Sequence, residues 1–195
     1  MSASALIGLP APAAEAVQVP HTAIVSANPA DWTPHVLDGR VNAIVQVGTK
    51  VVAGGTFSQV RRTGSSTILT RNFIFAFNYG TGTIDASFVP QLDGAVETLV
   101  PGPDGHSVIA GGSFTTVNGQ AYRKLVRLDI DTGAIETDFK SNANSLVNDL
   151  VVNSTTLYVA GKVWRSVVPT VVGSPVRAFS VKKVLPSLAA FAPVP

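Results

Sequence analysis

The sequence predicts an all-β protein built as an array of repeated, four-stranded antiparallel units. Three observations predict it. A motif recurs, as Val51-Val-Ala-Gly-Gly-Thr-Phe57, as Val108-Ile-Ala-Gly-Gly-Ser-Phe114 and, in worn form, as Leu157-Tyr-Val-Ala-Gly-Lys-Val163. Its spacing of about fifty residues is the period of stacked copies of one supersecondary unit. Around each copy apolar and polar residues alternate with the period of a half-buried strand, and no helical period competes.

Each unit opens with one such strand: Val41-Asn-Ala-Ile-Val45, Val96-Glu-Thr-Leu-Val100 and Val147-Asn-Asp-Leu-Val151. A tight turn follows. In the second unit it is Gly102-Pro-Asp-Gly105, and Asp-Gly is a strong hairpin signal. Gly48-Thr49 and Asn153-Ser154 take the same place in the first and third units. The glycine-bearing motif is the second strand. The third strand reads Phe73-Ile-Phe-Ala-Phe77, Leu125-Val-Arg-Leu-Asp129 and Val176-Arg-Ala-Phe-Ser-Val181. After turns at Tyr79-Gly-Thr-Gly82 and Asp131-Thr-Gly133, a short fourth strand ends in an aromatic at Phe88, Phe139 and Phe191. Trp32 ends a matching segment before the first unit. These aromatics stand 56, 51 and 52 residues apart, and the insertion Arg62-Thr-Gly-Ser-Ser-Thr67 accounts for the long first interval.

Four short antiparallel strands per unit of about 51 residues are the signature of a β-propeller blade. The expected blades are residues 41–94, 95–145 and 146–195 within a repeat region of 17–195. A closed ring takes roughly four to eight blades, so three predict an incomplete ring. Glycine within a strand marks a bulge or a close approach of another backbone. Here it is expected to admit the neighbouring blade, with Phe57 and Phe114 packing between blades. A phosphate cradle would need a helix after the glycines, and the pattern offers none.

At these residues the chain resembles the delta-60 repeat family of β-propellers. That pattern carries an Asp-Gly turn, an apolar strand ending in Ala-Gly-Gly and an aromatic, and a strand of the Leu-x-Arg-Leu type. Asp104-Gly105, Val108-Ile-Ala-Gly-Gly112, Phe114 and Leu125-Val-Arg-Leu128 match it, over roughly residues 30–195. Kelch-like propellers are a looser likeness. The third unit departs from the pattern, with Lys162-Val-Trp164 in place of Gly-x-Phe and Lys182-Lys-Val-Leu-Pro186 in place of the Asp-x-Thr-Gly turn. The resemblance implies a secreted bacterial scaffold and brings no catalytic residues with it.

Composition narrows the function classes. The chain of 195 residues is 46% hydrophobic and 13% charged, which argues against disorder. No run reaches the roughly 18 apolar residues of a spanning helix. The pairs Arg61-Arg62, Arg123-Lys124 and Lys182-Lys183 are scattered, whereas a nucleic-acid binder clusters its cations on one face. The absence of cysteine excludes disulfides and thiolate chemistry. Residues 1–16 differ from the rest. Ala5-Leu-Ile-Gly-Leu9 is a short apolar run, and Ala14-Glu-Ala16 has the small-x-small form of a signal-peptidase site. They are expected to be a partial leader or an Ala/Pro tail, the leader reading implying export.

The residues for chemistry are few. His21, His35 and His106 have no ligand spacing to one another, and a zinc site needs three or four convergent donors. Asp129, Asp131 and Asp138 could offer oxygens to calcium, but the spacing is not that of an EF-hand loop. The competing reading is an Asx turn. Asn42, Glu97 and Asp149 hold nearly equivalent places in the first strands and are the candidate ligand-binding residues, lining a central channel. No metal or cofactor is expected. The leading expectation is a non-catalytic, exported scaffold or binding module within a larger extracellular protein. Its partner would be an extracellular protein or a glycan, and it could self-associate through an open blade edge. The alternatives are a carbohydrate-active or oxidising enzyme with an acidic or metal site at the channel, and a truncated remnant without independent function.

Overall fold

The computed structural model describes residues 30–139, 143, 145–153, 156–161 and 180–183. The leader-like segment, His21, Trp164 and Phe191 lie outside them. The described residues contain strands and no helix, and the strands form small sheets that are antiparallel with one exception.

In chain order the strands are β1 (His35–Val36), β2 (Val41–Val47), β3 (Lys50–Gly55), β4 (Gln59–Arg61), β5 (Ile68–Thr70), β6 (Ile74–Asn78), β7 (Val96–Pro101), β8 (Ser107–Gly112), β9 (Thr116–Val117), β10 (Gln120–Ala121), β11 (Leu125–Asp129), β12 (Val147–Asn153), β13 (Thr156–Gly161) and β14 (Ser180–Lys183). Three sheets carry the repeat: β2-β3-β6, β7-β8-β11 and β12-β13-β14. The first two are antiparallel meanders with the predicted strand order.

Two expectations fail. In the first two units the fourth strand is reduced to one bridge each, Phe77 to Ile84 and Leu128 to Ile135. Turns explain this: Asp85 Oδ1 accepts from the N–H groups of Ser87 and Phe88, bending the chain away from the ladder. In the third sheet β14 pairs parallel to β13, where the repeat predicts antiparallel pairing. The described strand covers 180–183, and residues 176–179 of the expected strand lie outside the described residues.

The segments after the glycine strands of the first two units contain short strands of their own. β4 pairs with β5 on one side and with β1 on the other. The β9–β10 hairpin turns at Asn118-Gly119, both with positive φ, as a type I′ turn demands. Leu92 bridges to Val117 as β1 does to β4.

The first strand of every repeat sheet carries a bulge at the same register, between Val41 and Ala43, Val96 and Thr98, and Val147 and Asp149. Asn42, Glu97 and Asn148 are the extra residues. The bulge brings the backbone of residues 40, 95 and 146 against Gly55, Gly112 and Gly161, where an added Cβ would strike a carbonyl oxygen. The other motif glycines answer to the next sheet. A Cβ on Gly54 would come within 2.5 Å of Val96 Cγ1, and one on Gly111 within 2.6 Å of Val147 Cγ1. The predicted close packing of neighbouring units is therefore present at Gly54 and Gly111. At Gly55 and Gly112 the constraint lies within one sheet.

The core fills the spaces between sheets. Val52, Ile74 and Ala76 from the first sheet pack with Val96, Val108, Ala110, Val126 and Leu128 from the second, closed by Phe88 and Phe114. Ile109 and Leu125, on the opposite face of the second sheet, pack with Phe139, Val147, Leu150, Leu157 and Val159. Fully burying one such side chain contributes about 1.5–3 kcal/mol, so each sheet depends on its neighbour. Phe57 departs from the expectation. It packs within its own unit, edge-on to Phe75 at 5.4 Å, with Val60 and Ile84.

Candidate functional site

The bulges aim polar side chains between adjacent first strands. Asn42 Nδ2 donates to Glu97 Oε2 at 2.8 Å and to the Val96 carbonyl at 3.0 Å, while Arg40 Nε donates to Asn42 Oδ1 at 3.1 Å. A guanidinium, an amide and a carboxylate thus stand in line across two sheets. The amide of Asn42 is committed at both ends, so it positions its charged neighbours.

Asp149 is one residue out of this row. It pairs with Ala160, as Thr98 pairs with Gly111 and Ala43 with Gly54. Asn148 holds the place that corresponds to Asn42 and Glu97. Asp149 Oδ1 accepts from Leu150 N–H at 2.8 Å and lies 3.5 Å from Thr98 Oγ1. The structure therefore joins Asn42 to Glu97 directly and sets Asp149 beside Thr98, the next residue along β7. Asp149 is exposed and Glu97 half-buried. Such an edge can exchange hydrogen bonds with a hydroxyl-rich molecule.

Several other carboxylates are engaged by the fold. Asp38 accepts from Ser58 Oγ, Ser58 N–H and Gln59 N–H at 2.6–2.9 Å. Asp93 repeats the arrangement, taking Thr115 N–H, Thr116 N–H and the Thr115 hydroxyl. The Ser58 hydroxyl and the two N–H groups hold the Asp38 carboxyl below the ordinary range. Burial alone would raise Asp93, but its hydrogen bonds from Thr115 and Thr116 outweigh this and hold it far below that range. Asp93-Gly94 matches Asp38-Gly39 in the sequence. The partners lie about twenty residues on, where no local pattern points to them.

Asp129, Asp131 and Asp138 do not converge. Asp129 Oδ1 takes Asp131 N–H, Thr132 N–H and the Thr132 hydroxyl, an Asx turn. Asn78 does the same for Gly80 and Thr81. Asp131 pairs with Lys50 Nζ at 2.8 Å, and Lys50 also meets Asp85 at 2.7 Å and the Ile130 carbonyl at 3.1 Å. Asp138 faces Arg127 Nη1 at 3.4 Å. No group of three metal-ligating side chains occurs among the described residues, and no helix there is long and apolar enough to cross a membrane.

Two charged clusters escaped the sequence reading. Arg127 is buried and donates to Ser107 Oγ at 2.8 Å and Asp104 Oδ2 at 2.7 Å, with Asp138 beyond. Burial raises the nearby Glu136 carboxyl, against the pull of Arg127. The second cluster is Lys50, which lines a cleft of about 280 Å³ with Val47, His106, Ile130 and Asp131. All three Lys50 contacts are with protein oxygens, so it works as a clamp between the first two sheets. The remaining histidine, His35, lies on β1 with Nε2 3.3 Å from Thr63 Oγ1.

No family model matches the chain, and no curated protein matches it. Among solved structures it is similar to two computationally designed proteins. Ika4 is 16% identical with a TM-score of 0.32, the match covering 64% of this chain and 86% of that one. Ika8 is 16% identical with a TM-score of 0.29, covering 61% of this chain and 42% of that one. Likenesses at this level carry no argument about the fold or the function.

Proposed function

We propose that the chain is a segment of a β-propeller-type array of the delta-60 repeat kind, exported and acting as a non-catalytic binding module. Three sheets that share one bulge, one glycine register and one mode of stacking support the array reading. The leader-like Ala/Pro segment supports export. The resemblance to secreted repeat proteins points the same way.

The binding reading rests on one observation: Arg40, Asn42 and Glu97 stand in line across two first strands, with Asp149 exposed on the third. The proposed ligand is a surface glycan, whose hydroxyls both donate to carboxylates and accept from a guanidinium. The experiment is retention of the full chain on immobilised bacterial cell-wall polysaccharide, compared with an E97A/D149A variant. Retention of the parent and loss in the variant supports the reading. Equal retention of both, or retention of neither, overturns it. Release of reducing sugar from the same material would replace it with the enzymatic alternative.

A further inference from the structure

We infer that copies of this chain associate head to tail, the leading face of the first sheet of one copy docking on the trailing face of the third sheet of the next. The inference rests on the stacking of the sheets and is independent of the glycan reading.

The two faces already meet twice inside the molecule. The leading face of each repeat sheet presents a valine at the bulge and a branched residue three positions on. In the second sheet these are Val96 and Leu99, in the third Val147 and Leu150. All four are buried, at 0%, 7%, 0% and 3% exposure. They close over the glycine of the preceding sheet: the Cβ position of Gly54 is flanked by Val96 and Leu99, that of Gly111 by Val147 and Leu150. The first sheet offers the same pair, Val41 and Ile44, and they face no further repeat sheet among the described residues. They are 38% and 66% exposed.

The complementary surface is open at the third sheet. Val45 and Val100 occupy the trailing faces of the first two sheets, paired with Val52 and Ile109, and pack into the spaces between sheets. The equivalent Val151 is paired with Tyr158 and is 54% exposed. One molecule therefore carries both halves of an interface it builds twice internally. A pairing of unlike patches is heterologous and propagates into rings or filaments.

One residue sets the strength of this contact. Ala160 stands where Gly54 and Gly111 stand in the other sheets, by its pairing with Asp149. At the internal interfaces a Cβ at that position would press within 2.5 or 2.6 Å of the opposing valine. The methyl of Ala160 accordingly forces the intermolecular copy of the interface apart from Val41, so association is weaker than the internal stacking.

Sedimentation velocity over a concentration series of the full chain tests this. The parent chain should gain mass with concentration. A160G should shift that onset to concentrations about tenfold lower, the scale of relieving one overpacked methyl. I44E and V151K should each abolish assembly, and both positions are exposed enough for their thermal melts to match the parent. A mixture of I44E and V151K should form a one-to-one dimer and nothing larger, since each retains one intact face. A parent that stays monomeric together with A160G, an I44E that still assembles, or a mixture that stays monomeric overturns the proposal. An A160G that assembles no more tightly than the parent also overturns it.

Discussion

Val96 of the second sheet occupies the space that Gly54 of the first leaves empty. A Cβ on Gly54 would lie 2.5 Å from Val96 Cγ1 and 3.2 Å from Leu99 Cδ1. Both partners belong to strands, so neither backbone yields easily. Gly54→Ala is expected to destabilise the fold by about 1–3 kcal/mol, the cost of overpacking. Val96→Ala removes the obstructing methyls, so the double variant should lose less than the sum of the single losses. Urea denaturation of the four proteins checks the coupling.

Arg127 carries the buried charge between Asp104, Ser107 and Asp138, and it is 3% exposed. Replacing it with Met strands two carboxylates near the core. The expected loss is about 3 kcal/mol, the scale for breaking a buried pair from one side. The Arg127→Met and Asp104→Asn single and double variants, compared by urea midpoint, should show the arginine loss shrinking once Asp104 is already neutral.

Acid should weaken the protein through its hydrogen-bonded aspartates. Asp38 is lowered by bonds from Ser58 and Gln59. Asp85, Asp93, Asp104 and Asp129 are lowered although burial opposes it. A carboxylate with a depressed folded pKa contributes stability above its unfolded value, near 3.9, and that stability is lost as pH falls through the folded value. Stability should hold from pH 7 to about pH 5 and fall steeply below pH 4. Asp93→Asn should flatten that fall in a series of denaturation midpoints between pH 7 and pH 2.5.

The carboxylate of Asp93 ties the end of the first unit to the segment after the glycine strand of the second. Asp93→Ala is expected to cost about 1 kcal/mol, the discounted worth of exposed charge-assisted hydrogen bonds. Amide hydrogen exchange should localise the change to Thr115 and Thr116 and spare β3 and β6. A uniform loss of protection across both sheets would show that the carboxylate has a wider role.

The strands β2, β3, β6, β7, β8 and β11 were legible as sequence, because alternation of side chains is a property of neighbouring residues. The Asx turn at Asp129 was legible for the same reason, since its partners lie two and three residues on. The candidate row was legible only in part. The aligned strands put Asn42, Glu97 and Asn148 at one position and Asp149 one residue on, but not which of them touch. The bulge that decides this depends on the register between β12 and β13.

The sequence by itself determined the repeat, the order of the first three strands in the first two units, and the need for glycine in each second strand. These follow from local backbone freedom and from side-chain period. Only the tertiary structure decided what each glycine makes room for: Val96 of the next sheet at Gly54, and a bulged backbone of the same sheet at Gly55. It also decided that the fourth strands of the first two units shrink to single bridges, that β14 runs parallel, and that Lys50 joins Asp85 to Asp131. Apart from the fourth-strand bridges, those outcomes are contacts between residues about fifteen to eighty positions apart. Their energies depend on how sheets stack, and no local pattern records that.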